Sequence, residues 1–99
     1  MPTVRDNPRE LRYELVDDDG KVIGEILYRS EPGAVALVHT EIEPAYEGQG
    51  LAGVLVEGAV EDLRRRGLRM ISICPYVRAW LRRHPEQADL VTADPATPD

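Results

Sequence analysis

Apolar and polar residues alternate along the first part of this chain and then switch to a spacing of about four. Leu11, Tyr13 and Leu15 are separated by Arg12 and Glu14, the period-two pattern of a half-buried strand. Asp17-Asp18-Asp19-Gly20 predicts a tight turn with Gly20 at positive φ. Val22 to Tyr28 predicts a second strand, with Gly24 as a bulge position. Glu31-Pro32-Gly33 turns the chain again, and Ala34 to Glu43 predicts a third strand. Turns this short join antiparallel neighbours, so these strands should form a meander.

The period then changes. Leu51, Leu55, Ala59 and Leu63 recur on one helical stripe, flanked by Ala52, Val56 and Val60, which predicts an amphipathic helix from about residue 50 to residue 66. Arg64, Arg65 and Arg66 suit its negative C-terminal end, and Gly67 suits the position just past it. Leu68 to Ile73 is a short apolar strand. Strand, helix and strand form a βαβ unit, which places the last strand parallel to the third through a right-handed crossover. Pro75 opens a second helix through about Arg83, with Tyr76, Val77, Trp80 and Leu81 on one face, and His84-Pro85 ends it. The expected fold is therefore α+β: an antiparallel three-strand meander plus a parallel fourth strand, with a long central helix on one face and a short C-terminal helix opposite or at the edge. One domain should span residues 9–91, with flexible tails over residues 1–8 and 92–99.

A chain of 99 residues builds one core. Its net charge of −6 argues against nucleic acid as a general partner. An acidic surface fits a cationic substrate, and it fits simple solubility as well. The single cysteine cannot close an internal disulfide and suits a reducing cytoplasm. No apolar run approaches the roughly 18 residues of a membrane span, and the first residues lack a signal-type apolar centre. A cytoplasmic monomer or weak dimer is expected.

The segment Glu47-Gly48-Gln49-Gly50-Leu51-Ala52-Gly53 lies between the third strand and the long helix. Gly48 and Gly50 let the backbone turn sharply and approach a ligand closely. The helix that follows leaves its first amides without intrahelical partners, and with the positive dipole end they form a cradle for phosphate. Alone, this pattern is equally a tight strand-to-helix turn.

The element order, this turn, and the later block Cys74-Pro75-Tyr76-Val77-Arg78-Ala79-Trp80-Leu81-Arg82-Arg83-His84-Pro85-Glu86 together resemble a minimal branch of the GCN5-related N-acetyltransferases. The turn is similar to that superfamily's acyl-CoA signature, (Gln/Arg)-x-x-Gly-x-(Gly/Ala), although Glu47 stands where the signature has Gln or Arg. The likeness extends from about Leu11 to Val91. It implies a domain that binds acetyl-CoA between the third and fourth strands. Its pyrophosphate would rest on the amides of Gly48, Gln49, Gly50, Leu51, Ala52 and Gly53, with Ile42 just before them. It further implies transfer of an acetyl group to an amine on a small molecule, peptide, protein or polyamine. The alternative is a CoA-binding or protein-interaction module without turnover.

Four residues could carry chemistry in that setting. Cys74 precedes a proline at the start of a helix, where the dipole favours thiolate. It suits an acyl-cysteine route, and it equally suits a small buried residue that lines the pocket of a direct transfer. His39 and Glu41 lie two apart on one strand and so share a sheet face. His39 could take the proton of an attacking amine, with Glu41 orienting it or holding a cationic substrate. Alternatively both are surface strand residues. Tyr76 loosely matches the tyrosine with which many members of the superfamily protonate the departing thiolate, and its ring could equally pack on the sheet. Trp80 reads as core, and His84 as a helix C-terminal residue. Arg78, Arg82 and Arg83 read as a solvated face, one of which could reach a CoA phosphate. His39, Cys74 and His84 have no metal-ligand spacing, so no metal is expected.

Overall fold

In the computed structural model, which describes residues 1–93, the alternating first part of the chain becomes an antiparallel meander. It consists of β1 (Thr3–Asn7), β2 (Arg12–Val16), β3 (Val22–Glu31) and β4 (Ala34–Ile42). The amphipathic segment becomes α1 (Leu51–Arg65), and β5 (Arg69–Ser72) then adds parallel to β4, giving a five-stranded sheet in sequential order. The last helix, α2, covers Pro75–Arg83, the span expected from its proline start and His-Pro stop. The fold is α+β with a mixed sheet, as the sequence pattern implied.

Three expectations need correcting or narrowing. Residues 1–8 are not a loose tail, because Thr3–Asn7 is an edge strand paired with β2. Its ordering comes from partners distant in sequence: Val4 packs against the core, Arg5 and Asn7 bond to Glu14, and Asp6 accepts a bond from the Tyr28 hydroxyl. The sheet consequently has five strands, not four. Second, of the two places expected for α2, opposite or at the edge, the edge is the one taken: α2 lies over the same face as α1, and its Val77 and Trp80 join Leu55, Val56, Ala59 and Leu63 in one core. It sits beside β4 and β5, at that end of the sheet. Third, the C-terminal tail does not begin at Thr92, whose amide donates to Met70 O. Residues 94–99 lie outside the described residues.

Both ends of α1 follow the sequence signals. Gly50 is the residue that precedes the helix, in the left-handed region at φ 74°. Gly67, at φ 70°, lets the chain reverse into β5. The bulge expected at Gly24 falls next to it, where the β2–β3 register skips Ile23. Gly24 has a packing role instead, since a Cβ there would lie 2.6 Å from Ile42 Cδ1.

One register jump decides which side chains face which way. Leu27 pairs with His39 and Tyr28 with Leu37, so Val38 is an extra residue, a β-bulge in β4. Before it, Val35 and Leu37 point to the helices and Ala34 and Ala36 away. After it the phase inverts. Thr40 and Ile42 now point to the helices, while His39 and Glu41 join Leu27 and Glu25 on the outer face.

Candidate active site

The site begins where β4 and β5 part. Their last paired residues are Leu37 and Ser72. Leu37 O then accepts the amides of both Ile73 and Cys74, at 3.1 and 2.9 Å, which closes the narrow end of the gap. Beyond it β4 continues through His39, Thr40, Glu41 and Ile42, while the other chain turns away into α2.

At the wide end stands the glycine loop. A short 3-10 turn, Pro44–Tyr46, leads into Glu47, and Gly48 and Gly50 take φ values of 82° and 74°. Nothing lies within 4 Å of a Cβ built on either glycine, so the loop's surface is open. Glu47 N–H bonds to Pro44 O, and Val54 N–H is the first in α1 to reach a helical acceptor, Gly50 O. The intervening amides, Gly48 through Gly53, have no acceptor among the described residues, and no side chain caps the helix. Donors in this arrangement fit an anion such as a pyrophosphate. No acidic residue occupies the first turn of α1 to repel one. Glu47, the residue that departs from the signature, lines a groove on the outer face along with Glu25, Glu41 and Glu43.

Tyr76 lies half-buried on the first turn of α2, close to the first turn of α1: a Cβ on Gly53 would sit 3.7 Å from its hydroxyl. Cys74 is buried, precedes α2 in extended conformation and makes no capping bond. Its sulfur instead lies 3.3 Å from Thr40 Oγ1. The gap therefore brings together Leu37, Thr40, Cys74 and Tyr76, with Ile42 and the glycine loop at its mouth. Thr40 escaped the sequence reading because strict alternation groups it with Ala34 and Ala36. Only the bulge turns it inward, and a Val-His-Thr run carries no signal for one.

His39 and Glu41 do share a face, but the outer one. Both are more than half exposed, with Nε2 and Oε1 3.7 Å apart. That is too long for a neutral hydrogen bond and close enough for an ion pair when the imidazole is charged. Beside them runs the acidic groove of about 520 Å³, lined by Glu25, Glu41, Glu43 and Glu47 and also by Arg12. Arg12 donates at 2.7 Å to Glu14, which Arg5 and Asn7 also bind. Burial alone would raise the Glu14 carboxyl; those three bonds outweigh it and hold its pKa below the ordinary value.

The remaining residues have structural roles. Trp80 is core, and His84 stacks on it with ring centres 4.0 Å apart, while its Nδ1 bonds to Trp80 O. Arg78, Arg82 and Arg83 are exposed, and Arg78 Nε donates to Ser72 O. No described helix is long and apolar enough to cross a membrane.

A sheet split by a bulged strand, with a donor-rich glycine loop opening the helix after it, defines an acyl-transferase class of fold. Comparison with known proteins agrees. A sequence profile described as GCN5-related N-acetyl-transferase matches residues 12–90, and the chain belongs to that family. The chain is accordingly an acetyltransferase, and members of the family generally use acetyl-CoA and act on amine acceptors. Among solved structures, a GCN5-like protein from Staphylococcus aureus, determined by NMR, is similar over 92% of this chain and 88% of its own, at 23% identity and TM-score 0.67. An acetyltransferase from Trypanosoma brucei matches 93% of this chain and 71% of its own, at 17% identity and TM-score 0.46. No curated protein matches.

Proposed function

We propose that this protein transfers the acetyl group of acetyl-CoA directly to an amine on a cationic acceptor, a lysine-bearing peptide or protein or a polyamine. The observation that carries this reading is the unbroken run of amides from Gly48 to Gly53 with no acceptor among the described residues, opening beside the β4–β5 gap. Those amides would hold the pyrophosphate, and Ile42, at the mouth of the gap, would flank the pantetheine. When bound, acetyl-CoA supplies a thioester carbon open to attack by a neutral amine.

The chain's own groups divide the remaining work. His39 Nε2 takes the proton from the attacking amine, and Glu41 steadies the resulting imidazolium across 3.7 Å. Tyr76 holds a proton at its hydroxyl, beside Gly53, for the departing sulfur. Cys74 lines the gap. The outer groove's carboxylates, of which Glu25 already pairs with Arg12 and Glu43 with Lys21, leave Glu41 and Glu47 to favour an acceptor that carries positive charge beyond its reacting nitrogen.

The test is mass spectrometry of lysine peptides and spermidine incubated with protein and acetyl-CoA. An acetylated product is expected, reduced roughly a hundredfold or more in His39→Gln. Binding of CoA without any product would reassign the protein as a CoA-binding module. A stable acetyl adduct on Cys74 during turnover would replace direct transfer by a covalent route.

A further inference from the structure

The geometry points to Thr40 as a positioning residue: we propose that its hydroxyl fixes the Cys74 side chain on the wall of the β4–β5 gap, and that transfer depends on this contact. The assignment rests on the direct-transfer reading above and adds to it a residue that neither motif contains.

Three observations converge. The Val38 bulge is what brings Thr40 inward; in unbroken alternation it would point to the outer face with Ala36. Inside, its cross-strand partner is Ile26, which is fully buried, and its strand neighbours on that face are Leu37 and Ile42. A valine has the same shape and would fill this apolar place without a polar atom to satisfy. The hydroxyl's bond among the described residues is to Cys74 Sγ, at 3.3 Å.

Cys74 in turn is fixed everywhere except at its side chain. Its amide is held by Leu37 O, and its carbonyl accepts from Arg78 N–H as the first bond of α2. Rotation about Cα–Cβ is the freedom left to it. Turned one way, the sulfur meets Thr40; turned another, it reaches toward the first amides of α2, which have no acceptor among the described residues and no side-chain cap. Thr40 selects the first orientation. The sulfur then stands against β4, and on the direct-transfer reading the space between the two chains is left to the acyl group. Losing the hydroxyl frees the thiol to swing across that space.

The experiment compares Thr40→Val, Thr40→Ser, Cys74→Ala and the pair Thr40→Val with Cys74→Ala. Acetyl transfer to spermidine and CoA affinity by calorimetry are measured for each. Thr40→Val should lower kcat about tenfold with KM for acetyl-CoA and Kd for CoA within about twofold, and Thr40→Ser should restore kcat to within about twofold. In the double variant the Thr40→Val loss should vanish, because the thiol that swings is gone. A Thr40→Val enzyme with unchanged kcat, a serine variant as slow as the valine one, or losses that simply multiply in the double variant overturns the assignment. A second readout does not depend on turnover. The rate of Cys74 alkylation by iodoacetamide in the folded protein should change about fivefold or more in Thr40→Val and return in Thr40→Ser. If the wild type transfers no acetyl group, direct transfer fails and alkylation alone decides whether Thr40 governs the thiol. Equal alkylation rates in all three proteins reject it.

Discussion

Gly53 is the residue at which binding and folding can be separated most cleanly. Gly48 and Gly50 stand at positive φ, so any side chain there strains the fold as well as the ligand cradle. Gly53 sits in the first turn of α1, where alanine gains helix propensity of about 1 kcal/mol. Its Cβ would meet only the Tyr76 hydroxyl, at an ordinary contact distance of 3.7 Å. Gly53→Ala is therefore expected to raise the melting temperature while weakening CoA binding about tenfold, because the methyl enters the cradle. Equal CoA affinity in calorimetry would place the pyrophosphate elsewhere. At this scale, legibility depended on residue type. Glycines before a helix, a cysteine before proline and a lone tryptophan announce themselves. Thr40 does not, because its orientation depends on a register shift that single residues do not encode.

Among the elements, α1 and α2 were readable almost to the residue. Their stripe spacing, the glycine stop after α1 and the Pro75 and His84-Pro85 boundaries of α2 are local signals. The edge strand β1 was not. It has one apolar side chain, Val4, between two prolines, and it is held by tertiary bonds. Leu11 was misplaced for a related reason. It continues the Leu11, Tyr13, Leu15 alternation, yet it is an exposed turn residue at φ 53° that closes the β1–β2 connection. The docking of β1 on α1 gives its own test. A Cβ on Gly58 would lie 2.6 Å from Val4 Cβ and 2.5 Å from its Cγ2, so the strand itself must shift. Overpacking of this kind costs about 1–3 kcal/mol, against about 1 kcal/mol of helix propensity gained. Gly58→Ala should lower the denaturation midpoint, and pairing it with Val4→Ala should recover most of the loss. A stabilised Gly58→Ala protein would show that β1 does not pack there in solution.

At the scale of the whole molecule, the described helices cover one sheet face, while the other carries polar side chains around the buried Glu14 and a small apolar cluster of Ala34, Ala36 and Ile71. Its carboxyl has a folded pKa below its ordinary value. A depressed acid contributes stability that is complete above the unfolded value of about 4.3 and is lost as pH falls through the folded one. Glu14→Gln leaves Arg5 and Arg12 incompletely paired and should cost about 2–3 kcal/mol at pH 7, a gap that narrows as pH drops toward 3. Parallel stability curves for the two proteins across that range, measured by urea denaturation, would remove Glu14 as an organising charge. The bare outer face also explains why His39 and Glu41 were correctly paired from sequence but placed without their surroundings: spacing gives a shared face, and only the fold says which.

The central claim is that backbone donors at the start of α1 hold the phosphates of CoA. Titration of ¹⁵N-labelled protein with CoA, followed amide by amide, tests it most directly. The largest saturable shifts are predicted at Gly48 through Gly53, with smaller ones at Cys74 and Tyr76. Shifts that leave the Gly48–Gly53 amides unmoved, or no saturable binding at all, would contradict it.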